Sequence, residues 1–296
     1  MNYIYACNTS SDCLSKVNID NFKEEKKIYL GIDKSERIGP HGITNYSNII
    51  LTANNYSNSI SKIDMERDAK IESYYIGMHC NDVAVLNKEA YIICGECNNV
   101  VIFDLLKNRI SEEIPCGNLP HSITLNKEKK MILIANMQSD SLTVIDCMDK
   151  GCIKEVRVGA YPTKAVFTVD GQYILVCESN IGSYYRGTIG IIHLKSLRMI
   201  SRVIVGNSPV DIFCDERYCY VSNFGDGTIS MVDINNSKEI KKVNVGGMPR
   251  GIVKFSKYIY VGDNYNNTLM KIDIKNESKK IIPIGGEPTG IMLISR

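Results

Sequence analysis

Two short runs, Tyr220-Val221-Ser222-Asn223 and, forty residues on, Tyr260-Val261-Gly262-Asp263, decide the fold together with the segment between them, Val245-Gly246-Gly247-Met248-Pro249-Arg250-Gly251-Ile252. Each run opens on an apolar Tyr-Val pair and stops on a polar residue, and the stretches 173–176 and 258–261 are nearly all apolar, as strands covered on both faces would be. The segment between them is a Gly- and Pro-containing turn leading into another short apolar stretch, the punctuation expected between strands. Working outward in both directions, the same unit recurs. Its turn prolines stand at 40, 120, 162, 209, 249 and 288, and Cys80-Asn81 is a degenerate copy where the series needs one. The spacings of 40, 40, 42, 47, 40 and 39 residues are those of a four-stranded propeller blade.

Within each unit the alternation is that of strands. In Ser141-Leu142-Thr143-Val144-Ile145-Asp146 and Thr228-Ile229-Ser230-Met231-Val232-Asp233, apolar residues recur at every second position, and no segment sustains a helical period. The second strand can be counted seven times: 3–8, 49–54, 91–96, 131–136, 173–178, 218–223 and 258–263. The chain therefore begins on a second strand and ends, at 289–294, on a first one. A leftover strand at one end that fits a gap at the other predicts closure. Residues 289–294 should complete the blade begun at Tyr3 and so remove the free sheet edges of an open stack. The expectation is one all-β domain over 1–296, a seven-bladed β-propeller with four antiparallel strands per blade.

On these residues the chain resembles the YVTN-repeat propellers, with Tyr220–Asn223 and Tyr260–Asp263 in the signature position and the 245–252 segment like that family's next turn. The resemblance covers the whole chain. It implies the fold, whereas function is left open, because propellers of this kind serve as binding platforms, surface proteins and enzymes, lactonases and lyases among them.

Composition narrows the field. With 35 basic against 33 acidic residues the net charge is +2, which gives no electrostatic footprint for nucleic acid or an anionic membrane. No segment approaches the roughly 18 apolar residues of a membrane-spanning helix. Met1–Tyr5 runs into a strand-like segment without a basic or apolar leader, so no signal peptide is expected. The eleven cysteines then read as reduced thiols of a cytoplasmic protein. The expected state is a monomer.

Propeller geometry places two positions of each unit near one mouth of the central channel: the residue after the turn proline and the polar residue ending the second strand. The first set is His41, Asn81, His121, Thr163, Val210, Arg250 and Thr289; the second is Asn8, Asn54, Glu96, Asn136, Glu178, Asn223 and Asp263. Asn at a strand end is ordinary turn chemistry. The departures from it are Glu96, Glu178 and Asp263, which bring carboxylates, together with His41, His121 and Arg250. A carboxylate beside an imidazole is a general acid/base arrangement, and a guanidinium clamps a carboxylate or phosphate with two hydrogen bonds.

The expected occupant is a small polar molecule or a peptide terminus bound by His41, Asn81, Glu96, His121, Thr163, Glu178, Tyr184, Tyr185, Arg250 and Asp263. By analogy with propeller lactonases and lyases, His41, His121 and Arg250 would be the catalytic groups of an enzyme. No cofactor is required, although His with Glu could hold a divalent metal at the mouth. A charge ring that only hydrates the channel, or a scaffold using the flat faces, are the remaining alternatives. The fifth unit is longer than its neighbours by an insertion at 180–187, where Tyr184, Tyr185 and Arg186 lie between Gly182 and Gly187. This reads as a mobile aromatic lid or as a tolerated surface loop. Cys94 and Cys97 have redox or zinc spacing but lack a second pair, and inert thiols are the simpler reading.

Overall fold

In the computed structural model of the chain, which describes residues 2–31, 33 and 35–295, the fold is the all-β seven-bladed propeller. Six blades are continuous meanders of four antiparallel strands, over residues 40–75, 80–115, 120–157, 162–204, 209–244 and 249–283. They are numbered second to seventh. The first blade is composite: Pro288–Ser295 pairs with Asn2–Asn8, which continues into Cys13–Asn18 and Lys23–Tyr29. Its register runs from Asn2 opposite Ser295 to Asn8 opposite Pro288, so the last strand supplies the first strand of the first blade as the repeat count requires. Among the described residues no helix is long and apolar enough to cross a membrane.

By contact density the chain divides into two compact units, Met1–Glu113 with Val253–Arg296, and Ile114–Ile252. Each has its own packing between blades. In the former, Leu51, Ala53 and Ile60 of the second blade pack with Val83, Ile92 and Phe103 of the third. In the latter, Leu133, Leu142 and Val144 of the fourth blade meet Ala165, Ile174 and Val176 of the fifth. Neighbouring blades cover both faces in this way, and these second strands are buried at every position after the first.

In every blade but the fifth, the turn between second and third strands follows one design. Four residues connect the strands, and the last of the four has positive φ: Asp12, Asn58, Asn98, Asp140, Gly227 and Asn267. Asp, Asn and Gly are the residues that enter this left-handed conformation at least cost. First strands lie still closer to one another than side-chain packing permits. A Cβ on Gly42 would stand 2.5 Å from the Cα of Asp82 and 2.7 Å from the carbonyl oxygen of Asn81. Gly42→Ala is therefore expected to cost roughly 1–3 kcal/mol through forced separation of two backbones, read as a lower urea midpoint with an unchanged m-value.

One strand differs from the sequence expectation. The second strand of the third blade is Glu89–Cys94, not 91–96, and Cys94 rather than Glu96 stands at its polar end, opposite Cys80. Aligning Tyr91 with the leading Tyr of Tyr218–Asn223 and Tyr258–Asp263 shifts the frame by two residues. A shift of two leaves the in–out alternation intact, so hydrophobic pattern alone does not expose it.

Candidate functional site

Residues following the turn prolines reach across to the next first strand in a recurring way. In the unit containing Ile114–Ile252, His121 Nδ1 lies 2.8 Å from the carbonyl oxygen of Thr163. Buried Thr163 in turn donates its hydroxyl to the carbonyl of Pro209 at 2.9 Å. In the other unit His41 Nδ1 lies 2.8 Å from the carbonyl oxygen of Asn81, and Thr289 Oγ1 donates to the carbonyl of His41 at 3.2 Å. His41, His121, Asn81, Thr163 and Thr289 thus join neighbouring blades as well as marking one end of the first strands.

The two histidines gain a defined tautomer from this contact. A carbonyl oxygen only accepts, so Nδ1 carries the proton and the neutral ring keeps its lone pair at Nε2. For His121 that lone pair faces Arg250, whose Nη2 is 3.4 Å away. His121 belongs to the fourth blade and Arg250 to the start of the seventh, 129 residues apart, and both are half-buried. The strand carrying Arg250 is held by a residue the sequence reading passed over. Asp211, two positions after Pro209, accepts the backbone N–H of Ile252 at 3.0 Å. Its signal was available: Gly42, Gly251 and Gly290 occupy the same place in other units, and a carboxylate there is a departure of its own.

The carboxylates separate into different roles. Glu178 turns into its own blade. Its buried carboxylate accepts from the N–H of Gly159 at 2.8 Å, from the Thr188 hydroxyl at 2.5 Å and from Arg202 Nε at 2.8 Å. Asp263, also buried, caps its turn by accepting from the N–H groups of Tyr265 and Asn266, each at 3.1 Å. Glu96 is exposed in the turn after Cys94, with Oε1 3.7 Å from His79 Nδ1. Arg202 was not singled out in the sequence, because on a fourth strand it reads as one more surface cation.

Glu178 occupies the slot that Asn fills elsewhere. Asn54 donates to Ser59 and Ser61, Asn136 to Ser141 and Thr143, and Asn223 to Thr228 and Ser230. In the fifth blade the corresponding residues are Thr188 and Gly190. The missing side chain at Gly190 gives the longer Glu room, since a Cβ there would lie 2.9 Å from Glu178 Oε1.

The long turn 179–187 carries Tyr184 and Tyr185, both exposed, and the turn is tied by Asn180 Nδ2 donating to the carbonyl of Arg186 at 2.9 Å. Gly187 N donates to the carbonyl of Gly206 at 3.1 Å, which anchors the turn's far end. Among the described residues no three His, Cys, Asp or Glu side chains gather in a way that could hold a metal ion.

No family model matches the chain, and no curated protein does. Solved structures with the same fold are numerous. A functionally unknown protein from Desulfotomaculum acetoxidans aligns over 99% of both chains, with a TM-score of 0.84 and 16% identity. Hydrazine synthase from Kuenenia stuttgartiensis aligns over 93% of this chain and 90% of that one, with a TM-score of 0.72 and 14% identity. Dihydro-heme d1 dehydrogenase NirN, in complex with DHE, aligns over 98% of this chain and 74% of that one, at 0.71 and 14%. At such identities the likeness is one of fold, and the class it defines is the seven-bladed propeller.

Proposed function

We propose that the chain is a cytoplasmic YVTN-type propeller that binds a small anionic molecule, or the carboxylate end of a peptide, at the His121–Arg250 pair. The observation that carries this reading is the 3.4 Å approach of the guanidinium to the imidazole Nε2, with Nδ1 anchored on the Thr163 carbonyl. Neutral His121 accepts from Arg250; protonated, it becomes a second donor aimed at the same place. An anion arriving there accepts from both, with the fixed geometry that favours bidentate recognition.

A screen of carboxylates, phosphates and peptide C-termini by calorimetry tests the reading. Arg250→Ala and His121→Ala should each weaken binding of the best ligand at least about tenfold, as expected for loss of a charge-assisted hydrogen bond. Unchanged affinity in both variants overturns it.

The catalytic alternative draws on the same tautomer. Nδ1 held by a carbonyl leaves Nε2 as the basic atom in His121 and in His41, the arrangement a general base needs. Lactone or cyclic-ester turnover that vanishes in His121→Ala while binding persists would favour a propeller enzyme. An interaction-scaffold role has no such geometric support.

A further inference from the structure

In six blades the residue opening the first strand is Pro, and in five of them its partner across the ladder is Asn or Glu: Pro40 with Asn54, Pro120 with Asn136, Pro162 with Glu178, Pro209 with Asn223 and Pro288 with Asn8. In the third blade both members of that pair are cysteine, Cys80 opposite Cys94. Their Sγ atoms are 3.9 Å apart and both side chains are buried. Cys94 fills the slot of the repeat's Asn, since it faces Gly77 as Asn136 faces Gly117 and Asn223 faces Gly206.

A third thiol completes the cluster. A Cβ on Gly77 would lie 3.0 Å from Cys94 Sγ and 3.7 Å from Cys97 Sγ, so both sulfurs border one small space. Cys97 is exposed, one turn beyond Cys94, and its N–H donates to the Cys94 carbonyl at 3.2 Å. An accessible thiol therefore stands beside a buried pair already placed across a ladder with its two sulfurs 3.9 Å apart.

We propose that Cys97, Cys94 and Cys80 form a hydroperoxide-responsive thiol relay that ends in a Cys80–Cys94 disulfide. In the first step the Cys97 thiolate attacks a peroxide oxygen. The S–O bond forms, the O–O bond breaks, and the departing hydroxide takes a proton to leave as water. Cys94 Sγ then attacks the Cys97 sulfenic sulfur. The S–S bond forms as S–O breaks, and hydroxide leaves as water with the proton from Cys94. Finally Cys80 Sγ attacks Cys94 Sγ, the Cys94–Cys97 bond breaks with its electron pair on Cys97, and Cys97 takes up the proton lost by Cys80. The sum is two thiols and one hydrogen peroxide giving one disulfide and two waters.

Exposure sets the order of events. Hydrogen bonding to Cys80 and burial push the Cys94 thiol up, so the buried pair meets the oxidant through Cys97. The site also borders the histidine anchor of its own unit, because Asn81, whose carbonyl faces His41 Nδ1, follows Cys80 directly.

Equimolar hydrogen peroxide, alkylation of remaining thiols and peptide mass mapping test the relay on the intact protein. The expected product is a Cys80–Cys94 cross-link, reversed by dithiothreitol. In Cys97→Ser it should form at least about tenfold more slowly, and in Cys80→Ala oxidation should stop at Cys94–Cys97. Cys214 and Cys219, also opposite one another, give an internal comparison, since their neighbour Cys177 is fully buried. Over-oxidation of Cys97 with Cys80 and Cys94 recovered alkylated overturns the proposal. So does cross-linking at the wild-type rate in Cys97→Ser, whose exposed position leaves folding intact, as a thermal melt will confirm.

Discussion

Removing the last strand, Pro288–Ser295, is expected to unfold the protein and not merely to shorten it. That strand supplies the entire partner of Asn2–Asn8 in register, and without it the backbone of a buried strand becomes an open edge. Met292 and Ile294 pack against a core of Tyr5, Cys7, Leu14, Ile28, Ile50 and Ile63, so the loss reaches the second blade. Thr289 contributes a buried hydroxyl 3.0 Å from that of Thr9 and donates to the carbonyl of His41. Domains of this kind are stable by about 5–15 kcal/mol, and losing a fully paired strand with its core contacts removes an amount of that order. Far-ultraviolet circular dichroism and urea titration should show no cooperative transition in the truncated chain. A synthetic peptide covering residues 288–296 should restore one in a concentration-dependent way, by strand addition. A truncated protein with the wild-type urea midpoint would refute the account.

The fold was legible because its determinants are local and repeated. Prolines at fixed spacing, period-two alternation and Asn, Asp or Gly in four-residue turns carry the same message in nearly every unit, and the leftover strand at each end carries closure. The third blade was misread by two residues, since a period of two cannot distinguish a strand from itself displaced by two. The candidate site was legible only as a set of departures. Residue type places Glu178 and Asp263 at second-strand ends, but the direction of each carboxylate depends on Gly190, Arg202 and Asn266, partners that a pattern for one strand does not contain. The approach of Arg250 to His121 likewise depends on residues 129 positions apart. Cys94 was visible as half of a Cys-x-x-Cys spacing. Its true cross-strand partner, Cys80, emerges only once the register is known.

Glu178 offers the sharpest test of how a repeat accommodates an exception. Replacing it with Ala strands the half-buried N–H of Gly159, removes the partner of Arg202 and leaves a void beside Val176. Breaking a buried ion pair by deleting one member costs about 3–5 kcal/mol, and because the Arg202 side chain is 48% exposed and can rehydrate, the lower end applies. Glu178→Gln keeps the shape and an acceptor for Gly159 but turns an amide N–H toward the Arg202 Nε–H and loses the charge, so it should cost about 1–3 kcal/mol. Introducing Ser at Gly190 should also destabilise, since its Cβ would meet Val176 Cγ1 at 2.8 Å and Glu178 Oε1 at 2.9 Å. Glu178→Asn combined with Gly190→Ser, however, rebuilds the Asn–Ser pair of Asn223 with Ser230 and Asn54 with Ser61. The double variant should therefore be more stable than the two single losses predict, by a coupling of about 1–2 kcal/mol. Urea unfolding of the four proteins measures that coupling directly. Strict additivity would mean that Glu178 and Gly190 are independent substitutions, and that the carboxylate is kept for some purpose other than filling the repeat's polar slot.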